Sequence, residues 1–332
     1  MVTRAAIIPA GTLGDGLIDL ALANNLSING YDVTYYSDVI SGLDEYIDGI
    51  VVRPCPDYAH VKAKLEDSHI ILYSTVARYI AELPDDLDEW IAGNGVCYST
   101  SHLIPRHQSI TEAQLQRRLP ADEQVIAGRL VKLNRSLRTT KLQRVRPPVV
   151  RQIVDAVSKE LQLKKWTYEN GLRIPKVRRT GDVRRVVIHP MGSKAYKRWQ
   201  PGQFLELAAQ LERTGWKPVF TVSPAEREQW LKLTGGKFDV PLFATIKELA
   251  EYYNESVAFI GNDSGNAHLA SCIGLPVILI YRRWRRYPPW RPAWNSPRVV
   301  YPRTLFEKGW QARLPVSRVY RAFSKMVSEF IR

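Results

Sequence analysis

Cysteine is scarce: Cys55, Cys97 and Cys272 are the only three in 332 residues, and no CxxC pair occurs. An odd, scattered set supplies neither a disulfide framework nor a metal-finger spacing, and favours reduced thiols. No apolar run approaches the length of a membrane span. The N-terminus reads as one short apolar strand rather than a signal peptide, and short-period repeats and low-complexity tracts are missing. The strict GxGxxG dinucleotide fingerprint is absent, since Gly11, Gly14 and Gly16 fall as GxxGxG. Acids are outnumbered, with 33 Asp and Glu against 47 Lys and Arg, for a formal charge of +14. That balance draws anionic partners. It leaves open nucleic acid, phosphorylated sugars and anionic lipid surfaces.

What is present is globular, with 45% hydrophobic residues and length enough for two domains. Residues 4 to 9 read as a buried strand and Asp15 to Asn29 as a helix. YDVTYYSD, GIVVRP, SHIILYST and GVCYST read as further strands with helices between some of them, which implies a parallel sheet covered on both faces. From His102 to Arg151 the chain is basic and carries three acids, Glu112, Asp122 and Glu123. It reads as helices over about Gln124–Leu137 and Pro148–Leu163, and it is either a solvated face or a landing surface for an anionic acceptor. ENGLRIPKVRRTGD reads as a linker. Strand–helix alternation then restarts at RRVVIH and runs to PVILIY. Pro315 to Ile331 is an amphipathic helix candidate. The expected architecture is α/β, with two Rossmann-like doubly wound domains facing a cleft. The N-terminal domain covers 1–168, the linker 169–182, the second domain 183–312, and a C-terminal helix lies within 313–332 with the first domain as one place for it to pack.

Open parallel sheets bind ligands beyond the carboxyl ends of their strands, and three loops there carry chemistry. In FIGNDSGNAHLASCIGLPVILIY an apolar strand runs into Asn262-Asp263-Ser264-Gly265 and a helix begins. Free N–H groups at such a helix end suit a phosphate or diphosphate; the plainer alternative is an ordinary N-cap with a packed His268. In HPMGSKAYKRWQPGQF, Gly192 and Ser193 can turn the backbone toward an anion while Lys194, Lys197 and Arg198 supply charge. In IIPAGTLGDGLIDL, three glycines surround Asp15. A phosphate cradle would be repelled by that acid, whereas a proton acceptor requires it.

These motifs resemble glycosyltransferase family 9, the ADP-heptose lipopolysaccharide heptosyltransferases. Gly14-Asp15 precedes an apolar helix, Lys197-Arg198-Trp199 is followed by Phe204, and Asp263-Ser264-Gly265-Asn266-Ala267-His268 precedes a helix and strand. The likeness is good in the second half, moderate in the first forty residues and poor from about 100 to 180. It implies the GT-B fold and an inverting transfer of heptose from ADP-heptose to a lipopolysaccharide core or related saccharide. By that resemblance Asp15 is the general base, and Lys197 neutralises the departing diphosphate. Gly192, Ser193, Lys197, Ser264 and Gly265 hold the diphosphate side of the donor, Asp263 and His268 shape its pocket, and Glu226 lies near its ribose. Thr12, Gly14, Arg135 and Arg138 are the acceptor-side candidates. Two departures fall on the acceptor side: Ile8-Pro9-Ala10 stands where the family carries a basic residue, and the family's proline early in the first helix is missing.

No DxD-like acidic pair occurs in the candidate phosphate loops, so neither a metal nor a cofactor is expected. Two other classes stay open. A nicotinamide-dependent oxidoreductase would use Asp38, at the end of the second strand, on an adenosine ribose. A nucleic-acid binder would use YRRWRRYPPWRPAW, where Arg alternates with aromatics, although that stretch reads first as a rigid loop and second as a sugar or lipid contact. The favoured reading has no nucleic-acid partner. It is a cytoplasmic enzyme, with peripheral contact at the inner face of the cytoplasmic membrane left open.

Overall fold

Ala5, Ala6, Ile7 and Ile8 are all buried, as a strand covered on both faces requires. Together with Arg4 they form β1 (Arg4–Ile8). The computed structural model describes residues 2–74, 78–99, 110–136, 147–175, 184–282, 288–303 and 308–330. The chain divides into two units, Met1–Arg173 and Ile174–Arg332.

In the first unit β1 is followed by helix α1 (Leu13–Ser27), β2 (Asp32–Tyr36), β3 (Val51–Arg53), α2 (Val61–Leu65), β4 (Ile70–Ser74), α3 (Arg78–Ala81), α4 (Asp85–Asn94), β5 (Val96–Ser99), α5 (Glu112–Arg118), α6 (Ala127–Ser136) and α7 (Val149–Leu161). The strands order as β3-β2-β1-β4-β5, all parallel, with Ala5 opposite Val33 on one side and Ile70 on the other. The chain steps outward from β1 to β3, then returns to β1's other flank at β4. The order therefore reverses at β1, and the loop that ends at Thr12, with Asp15 in the helical turn just beyond it, leaves from that switch point, the usual ligand position in such sheets. Helix α1 is apolar on most of its circumference and packs on α7; a helix of that kind is buried. Two asparagines near its end, Asn24 and Asn25, and Asn29 just beyond it hold the returning chain. The side-chain amides of Asn24, Asn25 and Asn29 donate to the carbonyls of Glu169, Thr167 and Lys165 at 2.9, 2.8 and 2.7 Å. Asn170 is buried, donates to Leu17 O at 3.1 Å, and so belongs to the first unit's wall although its segment reads as linker.

The second unit runs β6 (Arg185–His189), α8 (Pro201–Arg213), β7 (Lys217–Phe220), α9 (Pro224–Thr234), α10 (Ile246–Asn254), β8 (Ala258–Asn262), α11 (Gly265–Cys272), β9 (Val277–Ile280), β10 (Arg298–Val300) and α12 (Val316–Phe330). Its sheet orders as β10-β9-β8-β6-β7, again all parallel. Here the reversal lies between β6 and β8, so the loops after these two strands are neighbours. Gly261 is the residue that lets them approach, because a Cβ there would lie 2.7 Å from His189 O. Helix α12 covers its apolar stripe, Val316, Val319, Phe323 and Met326, within this unit's own core and packs on α8.

Two local expectations change. The first turns of the helix expected from Gln124 are a 3-10 segment, Ala121–Ile126, ahead of α6. Strand β10 was not expected; three residues after a proline-rich stretch give too short a pattern to stand out. The three cysteines are unbridged. Among the described residues no helix is long and apolar enough to cross a membrane.

Candidate active site

In the second unit the loop after β6 is tied down at every turn. The Trp199 backbone N–H donates to Asn262 Oδ1 at 3.1 Å, and Asn262 Nδ2 donates to Pro190 O at 2.7 Å, joining this loop to the end of β8. Arg198 Nε donates to Gly192 O at 2.8 Å, closing the loop on itself. The Trp199 indole is buried, meets Phe204 edge-on at 5.0 Å between centroids, and donates to Leu314 O at 3.2 Å. Trp310 Nε1 donates to Tyr196 O at 3.0 Å. The aromatics of the Lys-x-Trp motif are thus anchors, and what they present is Lys197. Its ammonium lies 3.5 Å from Asp263 Oδ2, at the head of the loop after β8. A Cβ on Gly192 would touch Asp263 O at 3.4 Å. Arg282 stacks over the exposed Tyr196 ring at 4.7 Å.

Ser264 is the N-cap residue of α11, yet it makes no capping bond. Its hydroxyl oxygen is buried with no hydrogen-bond partner among the described residues. Buried polar atoms are nearly always satisfied, and this one lies at a helix N-terminus where N–H groups and the helix dipole favour an anion. His268 repeats the pattern. Burial pushes its imidazole down to about 4, so it is neutral at physiological pH. Its Nε2–H donates to Trp290 O at 3.0 Å, which leaves Nδ1 as an acceptor, buried and without a partner among the described residues. The ring also meets Trp294 edge-on. Asn295 bonds Ser271 in both directions. The described end of the Arg-aromatic stretch therefore packs on α11; residues 283–287 lie outside the described residues.

Beneath α11 runs a polar chain that the sequence reading did not assign. Burial pushes His189 down to about 4. Its Nδ1–H donates to Thr221 O at 2.7 Å, so Nε2 accepts from Asn266 Nδ2 at 3.3 Å. Asn266 Oδ1 then accepts from Tyr253 OH at 3.1 Å, and Tyr253 accepts from Thr221 Oγ1 at 2.9 Å. One carbonyl sets the direction of every bond in the chain and locks Asn266, in the first turn of α11. A histidine closing an apolar strand was the available signal. Glu226 forms the capping box of α9, accepting from Ser223 N and Oγ at 3.2 and 2.7 Å, and its charge bears on His189. Ser193 is exposed on the loop, and Gly265 opens α11.

In the first unit Thr12 is the N-cap of α1. Its hydroxyl accepts from the Asp15 N–H at 3.3 Å and donates to Asp15 Oδ2 at 2.9 Å. Gly14 is buried and Asp15 half-buried, and the helix N-terminus favours negative charge there. Arg135 lies on α6, and Arg138 falls outside the described residues. Asp19, overlooked in the sequence, is buried one turn beyond Asp15. Asp38, the acid a dinucleotide site would need, instead accepts from the Cys55 N–H at 2.9 Å. Among the described residues no group of three or more His, Cys, Asp or Glu could hold a metal ion.

Residues 127–300, just over half of the chain and including both second-unit loops, match glycosyltransferase family 9 (heptosyltransferase). The chain belongs to that family. This family 9 glycosyltransferase also shares its fold with solved structures over nearly its whole length. A glycosyltransferase family 9 protein from Veillonella parvula superposes with a TM-score of 0.68 at 16% identity, covering 98% of this chain and 97% of that one. ADP-heptose lipopolysaccharide heptosyltransferase II from E. coli gives 0.66 at 13% identity, with 100% of both chains covered. E. coli heptosyltransferase WaaC with ADP gives 0.63 at 13% identity, covering 98% and 100%. The fold is GT-B. No curated protein matches the family 9 chain by sequence.

Proposed function

We propose that this glycosyltransferase moves heptose from ADP-heptose to a lipopolysaccharide core or related saccharide, with inversion at the anomeric carbon. The observation that carries the reading is the Lys197–Asp263 pair next to the unpartnered Ser264 hydroxyl, at the switch point of the second sheet. A diphosphate placed there takes the Lys197 ammonium, the Ser264 hydroxyl and the first N–H groups of α11. Gly192 and Gly265 allow its oxygens close approach, Ser193 lies on the loop beside it, and Asp263 orients the lysine. His268 offers its bare Nδ1 to a donor hydroxyl. Glu226, at the head of α9, is assigned to the ribose side.

In the transfer step the acceptor hydroxyl oxygen bonds to the anomeric carbon. The bond from that carbon to the diphosphate oxygen breaks, its electron pair leaves with ADP, and the hydroxyl proton passes to Asp15. Thr12 and Gly14 fix the base, and Arg135 and Arg138 are assigned to anionic groups of the acceptor. General-base catalysis contributes about 10²–10⁴-fold, and fixed positive charge at the leaving group is commonly a larger contribution. Because Lys197 and the helix end supply that charge, the reading has no metal step, and turnover should survive chelator treatment. The excess of 47 basic over 33 acidic residues suits an anionic acceptor, including one held at a membrane surface.

The deciding experiment is a thermal-shift panel of ADP, ADP-heptose, UDP-glucose, GDP-mannose and NADH, run on wild type and Asp15→Ala. A selective rise with ADP and ADP-heptose is expected in both proteins, with heptose transfer lost only in the variant. A selective response to another nucleotide overturns the donor assignment; undiminished transfer by the variant overturns the base.

A further inference from the structure

The loop between β1 and α1 is held at both ends by acids of the same helix. Asp15 accepts from the Thr12 hydroxyl at 2.9 Å. Asp19 is 5% exposed and accepts on Oδ2 from two donors, the Ala10 N–H at 3.1 Å and Tyr98 OH at 2.8 Å. The titratable groups around Asp19 are Asp15 on its own helix, Tyr98 on β5 and Tyr35 on β2. Tyr35 spends its proton on Gly16 O at 2.6 Å. Among the described residues no cation pairs with Asp19.

We propose that Asp15 and Asp19 act as a coupled pair of carboxylates: Asp19 is a positioning residue that pins the loop of the base, and its charge sets how readily Asp15 takes up a proton. The inference rests on Asp15 being the base. Two acids one helical turn apart repel when both are ionised, so each ionises less readily while the other is charged. Burial raises the Asp19 carboxyl to about 7, the bonds from Ala10 and Tyr98 oppose the rise, and the Asp15 charge adds to it. Asp19 therefore changes charge near neutrality. During transfer the acceptor's proton goes to Asp15, and Asp19 gains and loses none; it feels only the disappearance of its neighbour's charge.

The test reads Asp19 directly, by carboxyl-carbon NMR of protein labelled at aspartate, with Asp19→Asn assigning the resonance. The wild-type midpoint is expected near neutrality. Asp15→Asn should lower it by about half a unit or more, and Tyr98→Phe should raise it. Asp15→Ser repeats the first comparison if the amide disturbs Thr12. A wild-type midpoint in the ordinary carboxylate range, or one that neither Asp15 variant moves, overturns the coupling. These readings need no turnover, so heptose transfer retained by Asp15→Asn would count against the base alone. With transfer as the readout, the wild-type kcat should step up as pH rises through the Asp19 midpoint and Asp19→Asn should lack that step; a wild type without the step, or a variant that keeps it, also overturns the proposal.

Discussion

Replacing Asp19 by asparagine should remove the fall in the first unit's stability that the wild type shows as pH rises toward mild alkali. Burial holds the Asp19 carboxyl protonated up to about 7, against an ordinary value of 3.8. Between those values the folded chain keeps a proton that the unfolded chain has released. Stability therefore falls as pH rises through this window, the opposite of the usual salt-bridged carboxylate. Each unit of separation corresponds to about 1.4 kcal/mol, so from about pH 5 to about pH 8 the wild type loses about 3 kcal/mol on this account. Asparagine cannot ionise, and its oxygen still accepts from Ala10 and Tyr98. Its added N–H₂ is a new donor in a buried place, costing about 1–3 kcal/mol at every pH. That cost cancels when the variant-minus-wild-type difference at low pH is subtracted from the difference at high pH. Urea unfolding followed by circular dichroism across this range gives that double difference directly, expected at about 3 kcal/mol in favour of the variant. Parallel stability profiles for the two proteins would refute the buried-carboxyl reasoning.

Two further outcomes follow from the second unit. Lys197→Ala should lower kcat/KM by about 10²–10³-fold and weaken ADP binding measured by calorimetry, since it removes a fixed charge at the leaving group; unchanged kinetics would take Lys197 out of the site. Trp199→Ala should cost the second unit about 3–5 kcal/mol in denaturant unfolding, while Trp199→Phe should lose only about 1 kcal/mol with the indole N–H bond to Leu314.

Much of this arrangement was legible in the residues. Apolar runs ending in Gly, Ser or Asp marked the strand-to-helix turns, and the parallel alternation followed from them. The order of the Gly14-Asp15, Lys197-Trp199 and Asp263-His268 motifs placed three loops at carboxyl ends of strands. Other features depend on contacts remote in sequence. Asp19 looked like an ordinary helix acid, although its neighbours Leu17, Ile18, Leu20, Ala21 and Leu22 left no polar face for it to occupy. The bond from Asn266 to His189 spans 77 positions, and periodicity carries no trace of such a pairing. Glu226 shows the reverse difficulty: Ser-x-x-Glu ahead of a helix is a capping box in its own right, so a functional acid there is hidden behind a structural one. Asn24, Asn25 and Asn29 were read past as helix residues, yet they hold the chain returning from Lys165 to Glu169, where the linker was read to begin.

The bond from Trp199 to Leu314 crosses 115 positions, and that span has a consequence for biosynthesis. Ribosomes extend a chain at about 5–20 residues per second, so on the order of ten seconds separate the appearance of the two partners. During that interval the nascent indole has neither its carbonyl acceptor nor the cover of α12. The lysine-bearing loop therefore acquires its final shape only after all five strands of the sheet that carries it, β10 included, have been made.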